Sequence, residues 1–137
     1  MPAPGVPEGY PTVTPYLIVD GAAKLIDFLQ RAFGAAAREC HKMEDGKIMH
    51  AEATIGDSTV MLGDATGEWK AMPSVLHLYV PDADAVYRKA LAAGATSVRE
   101  PADQFYGDRS GGVKDPLGNL WWISTRKENL SLEEIGV

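Results

Sequence analysis

Tyr16-Leu17-Ile18-Val19-Asp20 decides the reading of this chain, because a segment with helical spacing comes directly after it and the same succession returns in the second half. These residues read as a strand, and Gly21 to Phe33 then carries Ala22, Leu25, Ile26, Leu29 and Phe33 at helical spacing before Gly34 stops the helix. In the second half, residues 75–80 read as a strand. Asp82 caps a helix with Ala83, Val86, Tyr87, Ala90 and Leu91 on one face, and Gly94 ends it.

The two helix ends, Phe33-Gly34-Ala35 and Ala93-Gly94-Ala95, are each followed by three strand candidates. In the first half these are residues 37–43, 48–55 and 58–62, separated by Glu44-Asp45-Gly46 and Gly56-Asp57. In the second they are 97–100, 111–114 and 120–125, with Asp115-Pro116-Leu117-Gly118-Asn119 as the last turn. The order βαβββ thus occurs twice, and the expected fold class is α+β: two tandem βαβββ modules with cupped mixed sheets, at about 13–63 and 74–126. Together they form one domain over 13–137, with residues 61–72 connecting them. Ser131-Leu132-Glu133-Glu134 has the form of a capping box, which predicts a short helix at about 131–135. Residues 1–12 precede the domain. Met1 to Pro15 contains five prolines and no basic segment leading into an apolar run, so it does not read as a secretory signal but as an extended arm lying along the domain or reaching a neighbouring subunit, or equally as a partly ordered leader.

A sheet covered on one face by a helix leaves its other face for something else. Along residues 48–55, Ala51, Ala53 and Ile55 suit packing against the helix, while His50, Glu52 and Thr54 point the other way. Two such polar faces curved toward each other would make a cleft with mixed walls, the usual character of a small-molecule site.

The 137 residues suffice for a core without staples, and a composition of 45% hydrophobic and 23% charged residues is that of a globular protein. No apolar run approaches a membrane span, so no membrane partner is expected. The net charge is −6 and the basic residues are scattered, which argues against nucleic acid. Cys40 is the single cysteine, which rules out an intramolecular disulfide and suits a cytoplasmic setting. Its neighbour His41 points to the opposite face of a strand, so a catalytic thiol is not expected, and no serine-hydrolase signature is visible.

Thr14-Pro15-Tyr16-Leu17, Gly46-Lys47-Ile48-Met49-His50-Ala51-Glu52, Gly107-Asp108-Arg109 and Asp115-Pro116-Leu117-Gly118-Asn119-Leu120-Trp121-Trp122 together resemble the vicinal oxygen chelate superfamily, the group of glyoxalase I, bleomycin-resistance proteins and extradiol dioxygenases. Within it the match is to the PhnB-like branch. The resemblance implies paired βαβββ modules, a homodimer and a ligand held in the cupped sheet. Metal-dependent relatives hold a divalent ion on the first and last strands of each module and use it as a Lewis acid. The positions that match here are Thr14, Val60, Val75 and Trp122, none of them a good ligand. The expectation is therefore no metal cofactor. The alternative is a rearranged site from His50, Glu52 and His77, the last sharing a strand face with Val75. Otherwise these three are hydrogen-bonded polar residues of a pocket wall, and His41 is a surface residue.

Trp122 would put a flat apolar surface where relatives place the ion. With Tyr16 and Tyr79 it could form an aromatic wall for a planar or cationic ligand, or each could be an ordinary core aromatic. Trp121 should face the helices. Residues 103–112 read as a long turn-rich loop covering the site, carrying Tyr106 and Arg109. Arg109 could bind an anionic ligand group or pair with Asp103 or Asp108 to shape the loop. Three functions are compatible with these readings: a metal-independent binding protein for a planar or aromatic small molecule in a dimer cleft; a glyoxalase-like lyase, isomerase or dioxygenase with a rearranged metal site; or a non-catalytic association module.

Overall fold

The computed structural model describes residues 5–136; Met1 to Pro4 of the expected arm and Val137 of the expected domain lie outside the described residues. The chain forms two compact units, residues 1–73 and 74–137. The first contains β1 (Tyr16–Val19), α1 (Ala22–Phe33), β2 (Ala36–Lys42), β3 (Ile48–Ile55) and β4 (Ser58–Asp64). The second contains β5 (Val75–Tyr79), α2 (Ala83–Ala92), β6 (Thr96–Asp103), β7 (Asp108–Lys114), β8 (Leu120–Arg126) and α3 (Leu132–Ile135). Each unit is a four-stranded mixed sheet with one parallel pair, in the order β1-β4-β3-β2 or β5-β8-β7-β6. The βαβββ repeat is present in both.

Alternation along the strands sends one set of side chains to the helix and the other to the open face. In the first unit Leu17, Val19, Ala51, Ala53 and Leu62 are buried with Leu25, Phe28 and Leu29 of α1. Phe28, absent from the expected apolar stripe, is fully buried, while Phe33 is half-buried at the last turn and meets Phe28 edge to face. In the second unit Val113, Trp121 and Ile123 pack with Ala83, Tyr87 and Ala90 of α2. Trp121 is thus a core residue, as expected.

The helix ends reflect the local chemistry. Gly34 takes the left-handed conformation (φ 67°) that closes α1, and Asp82 accepts a hydrogen bond from the Ala85 amide to open α2. The start of α1 has no cap of its own: Asp64, at the end of β4, accepts from the amides of Gly21 and Ala22 with one oxygen and from Ile48 with the other. Ser131 and Glu134 make the expected capping box of α3. Among the described residues no helix is long and apolar enough to cross a membrane.

The expected long loop over residues 103–112 is corrected. β6 runs on to Asp103 and β7 begins at Asp108, leaving a tight turn closed by the Gly107 amide bonding Gln104 O. The signal was obscured because β6 is an edge strand carrying Pro101 and two register shifts, while Gly111-Gly112 removes the side-chain alternation from β7.

Candidate functional site

The open face of the first sheet holds a cavity of about 500 Å³. Its walls are Tyr16 and Ile18 from β1, Met49 and His50 from β3, Gly63 and Asp64 from β4, Met43 from the β2–β3 turn, and Thr66 and Trp69 from the segment after β4. Three of the large side chains are well exposed: Tyr16 at 46%, Met49 at 59% and Trp69 at 61%. Trp69 is held by a local turn in which Thr66 Oγ1 accepts from the Trp69 amide at 2.9 Å and Trp69 O accepts from the Thr66 amide at 2.8 Å. Gly63 keeps the floor open, since a Cβ there would lie 2.7 Å from Met49 O and 3.1 Å from the Tyr16 hydroxyl. Asp64 is structural: burial alone would raise its pKa, but the amides of Ala22, Ile48 and Gly21 outweigh that and hold it below the usual range.

A polar chain runs along this face. The His50 ring tilts against Tyr16, and its Nδ1 lies 3.2 Å from the Tyr16 hydroxyl. Its Nε2 lies 3.1 Å from Oε2 of Glu52. A carboxylate only accepts, so Nε2 carries the proton that meets Glu52, while the Tyr16 hydroxyl faces both Nδ1 and, at 3.4 Å, the Met49 carbonyl to which it donates. Glu52 is only 3% exposed and its Oε1 accepts from the hydroxyl of Tyr10, in the N-terminal arm. The Arg38 guanidinium stands 5.4 Å from the Tyr10 ring centre, with Nε 3.8 Å from Glu52 Oε1. The donation by Tyr10, helped by His50 and Arg38, holds Glu52 below the usual carboxylate range despite burial, and the same bond raises the Tyr10 phenol.

In the second unit the open face carries His77, Tyr79 and Trp122. The His77 and Tyr79 rings lie 4.9 Å apart, and His77 pairs across the sheet with Trp122. The indole lies against Gly112, where a Cβ would come within 2.6 Å of it, with Arg99 5.3 Å from its ring centre. Tyr79 donates to Asp108 at 3.0 Å; buried Asp108 also accepts from Arg126, whose guanidinium is raised by that bond. Tyr106 sits in the β6–β7 turn, edge-on to Phe105. Arg109 donates to both oxygens of Asp84 on α2, at 3.0 and 3.1 Å, and to Asp103 at 3.3 Å. Those bonds, Asp84 first, raise its pKa, and they join helix to hairpin. Of its two expected roles the structural one is what the geometry displays, with Asp84 as the main partner and not Asp108.

The structure therefore gathers Tyr16, His50 and Glu52 in one unit and His77, Tyr79 and Trp122 in the other. Sequence reasoning missed Met43, Met49 and Trp69, which flank turns, and Tyr10 and Arg38, for which spacing carried no signal.

A family metal does not fit these residues. Val60 is buried, Val75 is an exposed aliphatic, Trp122 is engaged by Arg99, and Thr14 offers a lone hydroxyl. Glu52 has both oxygens committed, one to Tyr10 and one to His50. Among the described residues no three His, Cys, Asp or Glu side chains gather into a group able to hold a metal ion.

Known proteins share this architecture. The chain is 39% identical to an uncharacterized protein of Mycobacterium bovis over 136 residues, covering 91% of this chain and 90% of that one. The crystal structure of TioX from Micromonospora sp. ML1 superposes with a TM-score of 0.69 at 25% identity, covering 88% of this chain and all (100%) of that one. A PhnB protein from Bacillus cereus has the same fold, with a TM-score of 0.64 at 17% identity, covering 84% of this chain and 99% of that one. Residues 11–123 match the family profile described as Glyoxalase/Bleomycin resistance protein/Dioxygenase superfamily, and the chain belongs to that superfamily.

Proposed function

We propose that this chain is a small-molecule binding protein of the bleomycin-resistance type, of the PhnB-like branch, which takes a planar, largely apolar ligand without a metal ion. The observation that carries the reading is the cavity of the first unit. Two aromatic rings, Tyr16 and Trp69, and two thioethers, Met43 and Met49, surround it, with His50 and Thr66 as the groups that orient a guest. Flat rings supply stacking area at little entropic cost, and methionine adapts to irregular guests. A homodimer belongs to the same reading. It is supported by family membership and by Val75 and Tyr79, which stand 68% and 60% exposed on β5.

Titration with fused-ring aromatics, monitored by tryptophan fluorescence, tests the proposal. Saturable quenching that a chelator leaves unchanged and Trp69→Phe abolishes is expected. Absence of binding across such a panel would overturn it, and binding only after a divalent ion is added would overturn it in favour of the rearranged-metal enzyme.

A further inference from the structure

The N-terminal arm does more than lie on the sheet. Tyr10 sets its ring under Arg38 and its hydroxyl on Glu52, a side chain almost wholly withdrawn from solvent. A buried carboxylate is costly unless its oxygens meet donors. Here Oε2 has His50, but Oε1 has Arg38 only at 3.8 Å once Tyr10 is set aside. The face is thus built to receive one hydroxyl donor carried on an aromatic ring.

The internal repeat supports this. Arg38, Glu52, Met61 and Tyr16 form one row across the first sheet; Arg99, Gly112, Trp122 and His77 form the matching row of the second. In the second row the seat beside the arginine is filled by the sheet's own Trp122. In the first row Met61 stands where Trp122 does, and the ring beside the arginine comes from the arm. An aromatic seat is common to both copies, but only in the first is its occupant on a segment outside the sheet.

We propose that Arg38, Glu52 and His50 form a binding subsite for a phenolic or enolic hydroxyl, filled in this structure by Tyr10 of the chain's own arm, which such a ligand displaces. The proposal rests on the aromatic-binding reading above and sharpens it. His50 belongs to both places: it lines the cavity, and its Nε2 meets Glu52. The ligand is then a planar molecule with an aromatic or enolic hydroxyl at one end. An ionised Glu52 can only accept, so carboxylates are rejected and ethers gain no hydrogen bond from Glu52. Arg38 above the ring adds a cation–π contact that any aromatic occupant would share.

Three matched probes test this: 2-naphthol, 2-methoxynaphthalene and 2-naphthoate, titrated by calorimetry against the native chain, Tyr10→Ala and Tyr10→Phe. A docked arm lowers apparent affinity by the fraction of molecules it blocks, so Tyr10→Ala should bind 2-naphthol roughly tenfold more tightly if the arm is docked about nine-tenths of the time. The methoxy probe should change less than twofold, and Tyr10→Phe, which keeps the ring, should gain less than Tyr10→Ala. In the native chain, saturating 2-naphthol should speed amide hydrogen exchange over residues 8–14. Equal binding of 2-naphthol and 2-methoxynaphthalene by all three proteins would sink the subsite and leave the aromatic-binding function standing. Failure of every probe with every protein would sink both. An equal gain for all probes in Tyr10→Ala would make the arm a simple steric cover and refute hydroxyl recognition.

Discussion

Replacing Asp115 by Asn changes one atom and should be among the most damaging substitutions in the second unit. Oδ1 of Asp115 accepts from the amides of Leu117 and Asn119 at 2.8 and 3.0 Å; Oδ2 accepts from Asn119 Nδ2 and Trp121 Nε1 at 2.9 and 2.8 Å. The aspartate, Asn119 and Trp121 are all buried. An asparagine has one oxygen to offer and must turn its NH₂ toward the other pair of donors. Asn119 cannot rotate to relieve this, because its own Oδ1 accepts from Ser74. Two hydrogen bonds to a charged acceptor are lost at about 1.5–3 kcal/mol each, so after some relaxation a loss of about 3–4 kcal/mol is expected. For a chain of this size that corresponds to a fall in Tm of roughly 10 °C. Urea unfolding monitored by tryptophan fluorescence measures it. The control is Asp45→Asn, since Asp45 is exposed and accepts from the Lys47 amide in a surface turn. If Asp115→Asn lies within about 1 kcal/mol of the native chain, the account of a carboxylate hub holding the turn is wrong.

The same geometry makes other outcomes testable. Because Glu52 titrates below its ordinary value of 4.5, its contribution to folding is complete above that value and is lost as pH falls through the lowered one. The slope of stability against pH between about 5 and 3 should therefore be shallower in Glu52→Gln, and equal slopes would contradict the Tyr10–Glu52–His50 link. Gly112→Ala places a Cβ against the Trp122 ring and should cost about 1–3 kcal/mol, with a change in near-ultraviolet circular dichroism; an unchanged spectrum would count against the close approach of the indole to Gly112. Gly63→Ala meets the Met49 carbonyl at 2.7 Å and should weaken naphthalene binding by calorimetry as it crowds the cavity floor. Arg109→Ala should leave that affinity unchanged within about twofold, since its guanidinium serves Asp84 and Asp103; a large loss would restore it as a ligand contact.

Much of this architecture was legible because it is written in local chemistry. Gly34 and Gly94 mark helix ends through a backbone geometry that side chains resist, and Asp82 marks a helix start through its side-chain oxygen. Alternation placed His50 and Glu52 on one face opposite Ala51 and Ala53. Where the sheet itself interrupts alternation, the reading fell short: Pro101 and the shifted register of β6, with Gly111-Gly112 beside them, made the end of one strand and the start of the next read as a loop. The cap of α1 was equally invisible, since Asp64 is forty-two residues from the Ala22 amide it accepts.

The binding face shows the same division between local and long-range information. Period-two spacing says that His50 and Glu52 point the same way, but not that Glu52 is buried or what its second oxygen meets. The missing partner is supplied by Tyr10, from a proline-rich stretch with no periodicity to read. Arm and sheet are thus two halves of one hydrogen-bonded unit, in which Tyr10 supplies the donor that Glu52 Oε1 meets. Any molecule that takes the place of Tyr10 must then solve the same problem for Glu52. This makes the chemistry of the arm's own side chain, an aromatic hydroxyl, the guide to the ligand.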